Sequence, residues 1–189
     1  MDRGYYLRRA IHMLIALAPL YYVVPEELPY VHIPRWSGLI IFLATVVIIE
    51  VVRRTRRIPL PGLRPHEVRG IASFVWAAAG VTFALWLFPQ DIATAVLVGM
   101  ALVDPLAGEM RRTRGVGPIS VAVPILVYFV ISAVVLSAFG YHSRFFVVVL
   151  SLIGACAAVG AERWTVPKVD DDFLMIVVPG LMMWAFSEI

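Results

Sequence analysis

Val103-Asp104-Pro105-Leu106-Ala107-Gly108-Glu109-Met110-Arg111-Arg112-Thr113-Arg114-Gly115-Val116-Gly117 begins inside an apolar run and ends among arginines and glycines. Its reading decides how the chain is built, because the run before it is long enough to enter a bilayer deeply and a carboxylate stands within it. Counted from Asp91, steps of about 1.5 Å carry Asp104 roughly 20 Å into a hydrocarbon core about 30 Å thick. An ionisable side chain at that depth is costly and turns toward protein or a water-filled cavity. A residue before proline is pushed out of the helical region, and proline suits the first turn of a new helix. The sequence therefore predicts a helix break at Asp104, with its carboxylate capping a second segment that runs toward Arg111. Such a break survives in a membrane only where it lines a cavity or is covered by protein.

The apolar character extends along the whole chain. Of 189 residues, 61% are hydrophobic and 15% charged, with mean hydropathy +0.87, against about 25% charged in a soluble domain. Apolar runs cover 10–24, 36–52, 70–88, 91–107, 118–139, 145–161 and 173–187. They predict an all-α, polytopic transmembrane helix bundle of about seven spans. Little chain is left for a soluble domain, so 1–189 reads as a single integral membrane domain. The first run holds His12 and Pro19 and lacks a small-residue cleavage pattern, so it is read as a helix of the mature protein. The single Cys156 excludes a disulfide within the chain and is expected to be a small buried apolar side chain.

Basic residues set the expected orientation. Fourteen of the sixteen Lys and Arg residues fall on alternate connections: Arg3, Arg8 and Arg9; Arg53, Arg54, Arg56, Arg57, Arg64 and Arg69; Arg111, Arg112 and Arg114; Arg163 and Lys168. Only Arg35 and Arg144 fall on the others. By the positive-inside rule the bundle is N-in and C-out in the cell membrane, with its working surface facing the cytoplasm. That accounts for the net charge of +3 without a nucleic-acid partner, and attraction to anionic lipid is a by-product. The outer connections, with Pro25, Pro29 and Pro34, Pro89-Gln90, and Gly140-Tyr141-His142-Ser143, are short turns with little material for a site. Small residues in 77–80 and 154–161 let helix backbones approach in lipid.

Four further clusters gather chemical groups at the inner ends. Glu162 leads to Asp170-Asp171-Asp172; adjacent carboxylates repel unless solvated or neutralised, and oxygen-rich clusters suit Mg²⁺. Arg8 and Arg9 precede His12 by four and three residues and share its helix face, as an anion site or a membrane-edge anchor. Glu50 stands before Arg53 and Arg54, with Arg56, Arg57, His66 and Glu67 beyond; a Glu50–Arg54 pair at i, i+4 is the structural alternative. Arg111, Arg112 and Arg114 combine guanidinium forks with Gly115 and Gly117, whose amides can approach phosphate oxygens, although no GxxxxGK[ST] loop is present. Carboxylates for a cation, arginines for phosphates and a base near Asp104 would meet where a cytoplasmic nucleotide reaches a lipid headgroup. Phosphoryl transfer needs little beyond such positioning and charge neutralisation.

With these residues in place, the chain resembles the dolichol kinase and polyprenol (phytol) kinase family of membrane enzymes, which is related to the CDP-lipid synthases. Arg8-Arg9-x-x-His12 resembles the family's first helix, and Glu50-x-x-Arg53 its second-span pair. Glu67 through Leu87-Phe88-Pro89 resembles its next span, and Asp104-x-x-Ala107-Gly108 its Asp-x-x-Ala signature. Glu162 with Asp170-Asp171-Asp172, followed by Pro179, is similar to its late acidic signature. Val103 stands where the family has Gly, and Asp172 where it has Asn. Residues 111–118 occupy the place of its Lys-Ser/Thr-x-Glu-Gly-Ser-like stretch.

The resemblance implies CTP-dependent, Mg²⁺-assisted phosphorylation of a long-chain lipid alcohol such as dolichol or polyprenol, with ATP as the other candidate donor. On this reading Asp104, His12 and Asp171 are catalytic, and Arg8, Arg9, Arg111, Arg112, Arg114, Gly115 and Gly117 bind the nucleotide. Asp104, Glu162, Asp170, Asp171 and Asp172 are the candidate Mg²⁺ ligands. A CTP:phospholipid cytidylyltransferase and a small ion-coupled transporter using Asp104 and Glu50 remain alternatives. The expected partners are a lipid alcohol, a nucleoside triphosphate and membrane lipids, with a homo-oligomer left open.

Overall fold

A computed structural model describes residues 3–28, 32–60, 62–64, 67–68, 70–164, 166–167 and 169–188. Pro29, His66, Arg69 and Lys168 lie outside the described residues. Helix α1 (Arg3–Leu14) continues directly into a 3-10 segment, Ile15–Val23, that contains Pro19. The 3-10 rise of about 2.0 Å per residue stretches nine residues over about 18 Å, so a short apolar run reaches further than an α-helix would. A two-stranded hairpin follows, β1 (Glu27–Leu28) pairing antiparallel with β2 (Ile33–Pro34). Six helices follow among the described residues: α2 (Trp36–Arg56), α3 (Ser73–Leu87), α4 (Gln90–Arg114), α5 (Ile119–Phe139), α6 (Arg144–Arg163) and α7 (Asp171–Ser187). Four of these, α2, α4, α5 and α6, are long and apolar enough to cross a membrane. Helices α3 and α7, at 15 and 17 residues, are shorter.

Helix α4 is the axis of the bundle. It packs against α1, the 3-10 segment, α3, α5, α6 and α7, and 67% of its apolar stretch is buried, against 17% for α2. Ile92, Leu97 and Met100 of α4 are fully enclosed with Leu136, Leu150, Met175, Ile176 and Met183 from its neighbours. Close approach depends on glycine, most sharply against two aromatic rings. A Cβ on Gly99 would lie 2.6 Å from the Tyr128 ring, and one on Gly180 would lie 2.1 Å from the Phe88 ring. Both aromatics therefore lie against bare backbone, which is how small residues gain dispersion energy in lipid.

Two sequence expectations are corrected here. Helix α4 does not break at Asp104: it runs unbroken through Pro105, and Asp104 caps nothing. Proline removes one ladder donor and can be carried within a membrane helix when neighbouring elements satisfy the local backbone. Here Pro105 is buried among the neighbours of α4; separately, its own carbonyl accepts a hydrogen bond from the Arg9 side chain at 3.1 Å. Cys156 is exposed on the outer face of α6 rather than buried. The inward face of α6 at that level is taken by Gly154, Ala155 and Ala158, whose small size admits Tyr128 and its neighbours.

Candidate functional site

His12, on the last turn of α1, is the centre of a charged cluster at one end of the bundle. Its Nδ1 lies 2.9 Å from the Arg8 carbonyl, one turn back. A carbonyl only accepts, so Nδ1 carries a proton and donates it there. Nε2 is thereby aimed at two carboxylates, Asp172 Oδ1 at 3.0 Å and Asp104 Oδ2 at 3.7 Å. The Asp104 side chain retains 19% exposure while that of Asp172 retains 1%. One acid therefore opens toward the cavity and the other is enclosed.

The helix face predicted for Arg8, Arg9 and His12 forms, and each arginine reaches a different partner. Arg8 donates to Glu67 Oε1 at 3.2 Å and lies 3.7 Å from Asp172 Oδ2. Arg9 bonds the Pro105 carbonyl and pairs with Glu109 at 2.9 Å. Arg64, from the α2–α3 connection, approaches Asp171 at 3.5 Å and Asp170 at 4.0 Å. Burial opposes its charge, but the Asp171, Asp170 and Asp172 carboxylates outweigh that and raise its pKa. Asp170 caps α7 by accepting from the Asp172 amide at 3.2 Å. Burial, then the hydrogen bond with Asp171 and the charges of Asp172 and Asp171, push Asp170 up to about 8.

Two groups of ligand-type atoms converge within 4.8 Å among the described residues: His12, Asp104 and Asp172, and Asp170, Asp171 and Asp172. Asp172 belongs to both. Its Oδ2 is buried and, with Arg8 no nearer than 3.7 Å, accepts no hydrogen bond among the described residues, although buried carboxylate oxygens are normally satisfied. Acceptor-only oxygens with a spare lone pair are the donor type a hard divalent cation takes. Glu162 is in neither group; it pairs instead with Arg111. Arg8, Arg9, His12, Arg64, Asp104, Arg111 and Arg112 line a cavity of about 350 Å³, floored by Pro105 and Gly108. Beside it an apolar groove of about 760 Å³ runs between α1, the 3-10 segment, α2 and α3, lined by Leu14, Leu17, Phe42, Val46, Phe74 and Val81 among others. Arg8, His12, Gly62 and Leu63 line both.

Compared with protein-family models, characterised proteins and solved structures, the chain matches none.

Several anticipated groups are placed differently. What read as a basic loop is the last turn of α4, which continues to Arg114. Arg114 is exposed and is not among the residues lining the cavity. The Gly115 amide closes the helix on the Arg111 carbonyl at 3.0 Å, and the Gly117 amide donates to Ser120 Oγ at 3.0 Å. Both amides anticipated for phosphate are thus engaged within the chain. Glu50 pairs with Arg53 rather than Arg54, through two bonds of 2.7 Å. Arg53 also bonds the Glu67 and Gly70 carbonyls, and Glu50 accepts from the Ala72 amide. This buried clamp fixes the α2–α3 connection and so places Glu67, whose Oε2 also accepts from the Arg64 amide at 3.0 Å.

At the level of sequence, Arg64 counts as a topological charge and Glu67 as a neighbour of the Glu50 cluster; neither is assigned to the site. Their signal was the Arg64-x-x-Glu67 spacing, which lets the carboxylate close on the amide three residues back, within a proline-rich connection too long for a simple turn. Asp91 also escaped notice: it is buried at the other end of α4, with His142 Nε2 2.8 Å from its Oδ2.

Proposed function

We propose that this chain is a lipid-alcohol kinase that transfers the γ-phosphoryl group of CTP, or of ATP, to the hydroxyl of a long-chain isoprenoid alcohol. The observation that carries the reading is the shared wall: a cavity rich in arginines and acids opens against a lipid-sized apolar groove along Arg8, His12, Gly62 and Leu63. An alcohol whose chain lies in the groove brings its hydroxyl to His12 and Asp104. Arg9, Arg64, Arg111 and Arg112 supply the guanidinium forks that position and neutralise phosphates. Asp104, partly open to the cavity, accepts the hydroxyl proton late in transfer, when even a weak base suffices. His12 holds Asp104 and Asp172 apart and in place. Asp170, Asp171 and Asp172 would hold Mg²⁺, which supplies charge neutralisation for the phosphates when bound.

The proposal places the protein in the cell membrane with seven crossings, N-terminus inside, C-terminus outside and the cavity facing the cytoplasm. The 3-10 stretch lengthens the first crossing. Helix α3, about 22 Å long at 1.5 Å per residue, crosses under cover of its neighbours, with local bilayer thinning taking up the mismatch.

The test is transfer of radiolabel from nucleotide to lipid by detergent-purified protein with Mg²⁺, running γ-labelled and α-labelled CTP in parallel. Label arriving from the γ position supports the kinase. Label from the α position replaces it with the cytidylyltransferase. No transfer from CTP or ATP to a panel of lipid alcohols and phosphates overturns both and favours a non-catalytic or transport role.

A further inference from the structure

The arginine run 53–57 at the end of α2 divides into two kinds of residue. Arg53 turns inward and is consumed by the Glu50 clamp. Its edge still borders a separate cleft of about 670 Å³, formed with Ile58, Pro59, Leu60, Leu63 and Val68 and lined by Arg54 and Arg57. Neither side chain makes a hydrogen bond or ion pair among the described residues. Arg57 ends the helix in the left-handed region, at φ 52°, with its amide on the Arg53 and Arg54 carbonyls. Beyond it the chain turns away as Ile58 and Pro59 and forms the opposite wall of the cleft. Ile58, Leu60 and Val68 are 41%, 37% and 62% exposed there. The helix leading into the cleft presents Ile48, Ile49, Val51 and Val52 outward.

We infer that this cleft binds an anionic phospholipid that is not the substrate, its phosphate between Arg54 and Arg57 and its chains along the outer face of α2. Arginines at a helix C-terminus also complement the dipole and the topology rule, but neither role calls for a cleft or an apolar wall. A soluble phosphate would leave Ile58, Leu60 and Val68 in water, whereas a membrane lipid covers them and meets the arginines at headgroup depth. Leu63 lines this cleft, the charged cavity and the groove, so the bound lipid braces the wall between them. The inference needs only membrane residence and stands apart from the kinase reading.

The experiment is native mass spectrometry of the full chain released from micelles doped with equal amounts of phosphatidylglycerol and phosphatidylcholine. Three forms are compared: wild type, Arg54→Gln/Arg57→Gln, and Arg56→Gln/Arg144→Gln as a charge-matched control at positions outside the cleft. The expected result is preferential retention of one phosphatidylglycerol by wild type and by the control. The Arg54/Arg57 variant should lose it by about fivefold or more, with an unchanged melting curve. Equal retention of both lipids by wild type overturns the inference, and so does equal loss in both variants. Competition by millimolar inorganic phosphate as effective as that by the lipid would also overturn it.

Discussion

Two aspartates of α4, Asp91 and Asp104, each meet a histidine from another element, and the two pairings do different things. At one end Asp91 is 2% exposed and meets a single imidazole, His142, at 2.8 Å. Further along the helix, His12 faces two carboxylates, Asp104 and Asp172, and a cavity of about 350 Å³ lies alongside. One His–Asp pair is a closed arrangement that fastens the α5–α6 turn to the helix. One histidine between two acids leaves charge to be neutralised, and arginines from α1, the α2–α3 connection and α4 gather around it. A carboxylate in an apolar helix is therefore weak grounds for a site; unbalanced charge beside an accessible cavity is stronger.

The sharpest way to break that contrast is to remove one member of the pairing at each end. Asp104→Asn or Asp172→Asn should lower phosphoryl transfer by about 10²- to 10⁴-fold, while His142→Asn leaves the rate within about twofold, since nothing at that end faces the cavity. Comparable losses from all three, measured as initial rates of lipid labelling, would erase the distinction. Chelation should stop transfer and added Mg²⁺ restore it. Asp170→Asn should raise the Mg²⁺ concentration needed for half-maximal rate by about tenfold or more; an unchanged Mg²⁺ titration would remove the acidic triplet from the reaction.

Glu67→Gln sharpens the comparison from further out. Glu67 touches Arg8 and the Arg64 amide rather than the cavity itself, so it acts by positioning. Its loss should cost about tenfold in rate, with Glu67→Asp recovering part of it, and a purely structural role would show as a lowered melting temperature without that recovery. Smaller effects belong to the closed end. Gly180→Ala forces a methyl into the Phe88 ring and should cost about 1–3 kcal/mol of stability, partly recovered by adding Phe88→Leu. His142→Leu leaves Asp91 buried without its partner, a loss of about 1–3 kcal/mol that thermal unfolding in detergent would report.

Much of the helical frame was legible before folding. The seven apolar runs correspond to α1 with its 3-10 extension and to α2 through α7, because hydropathy and turn residues such as Pro89, Gly140 and Pro167 act locally. The face shared by Arg8, Arg9 and His12 was legible for the same reason, being fixed by helical spacing. The break at Asp104 was misread because residue preference before a proline is a local tendency, and the packing of α4 on every side holds it helical through Pro105. Cys156 was misplaced because apolar runs in a membrane bundle are apolar on every side, so composition does not reveal the inward face.

By itself the sequence determined where helices form, which residues they carry and at which ends positive charge collects. Those outcomes follow from transfer energies and backbone preferences summed residue by residue. Only the tertiary structure decided partnership: Glu50 with Arg53 rather than Arg54, Glu162 with Arg111 rather than the acidic triplet, and His12 between Asp104 and Asp172. Charge pairing in a low-dielectric bundle varies steeply with distance, and those distances depend on how each helix is rotated against its neighbours.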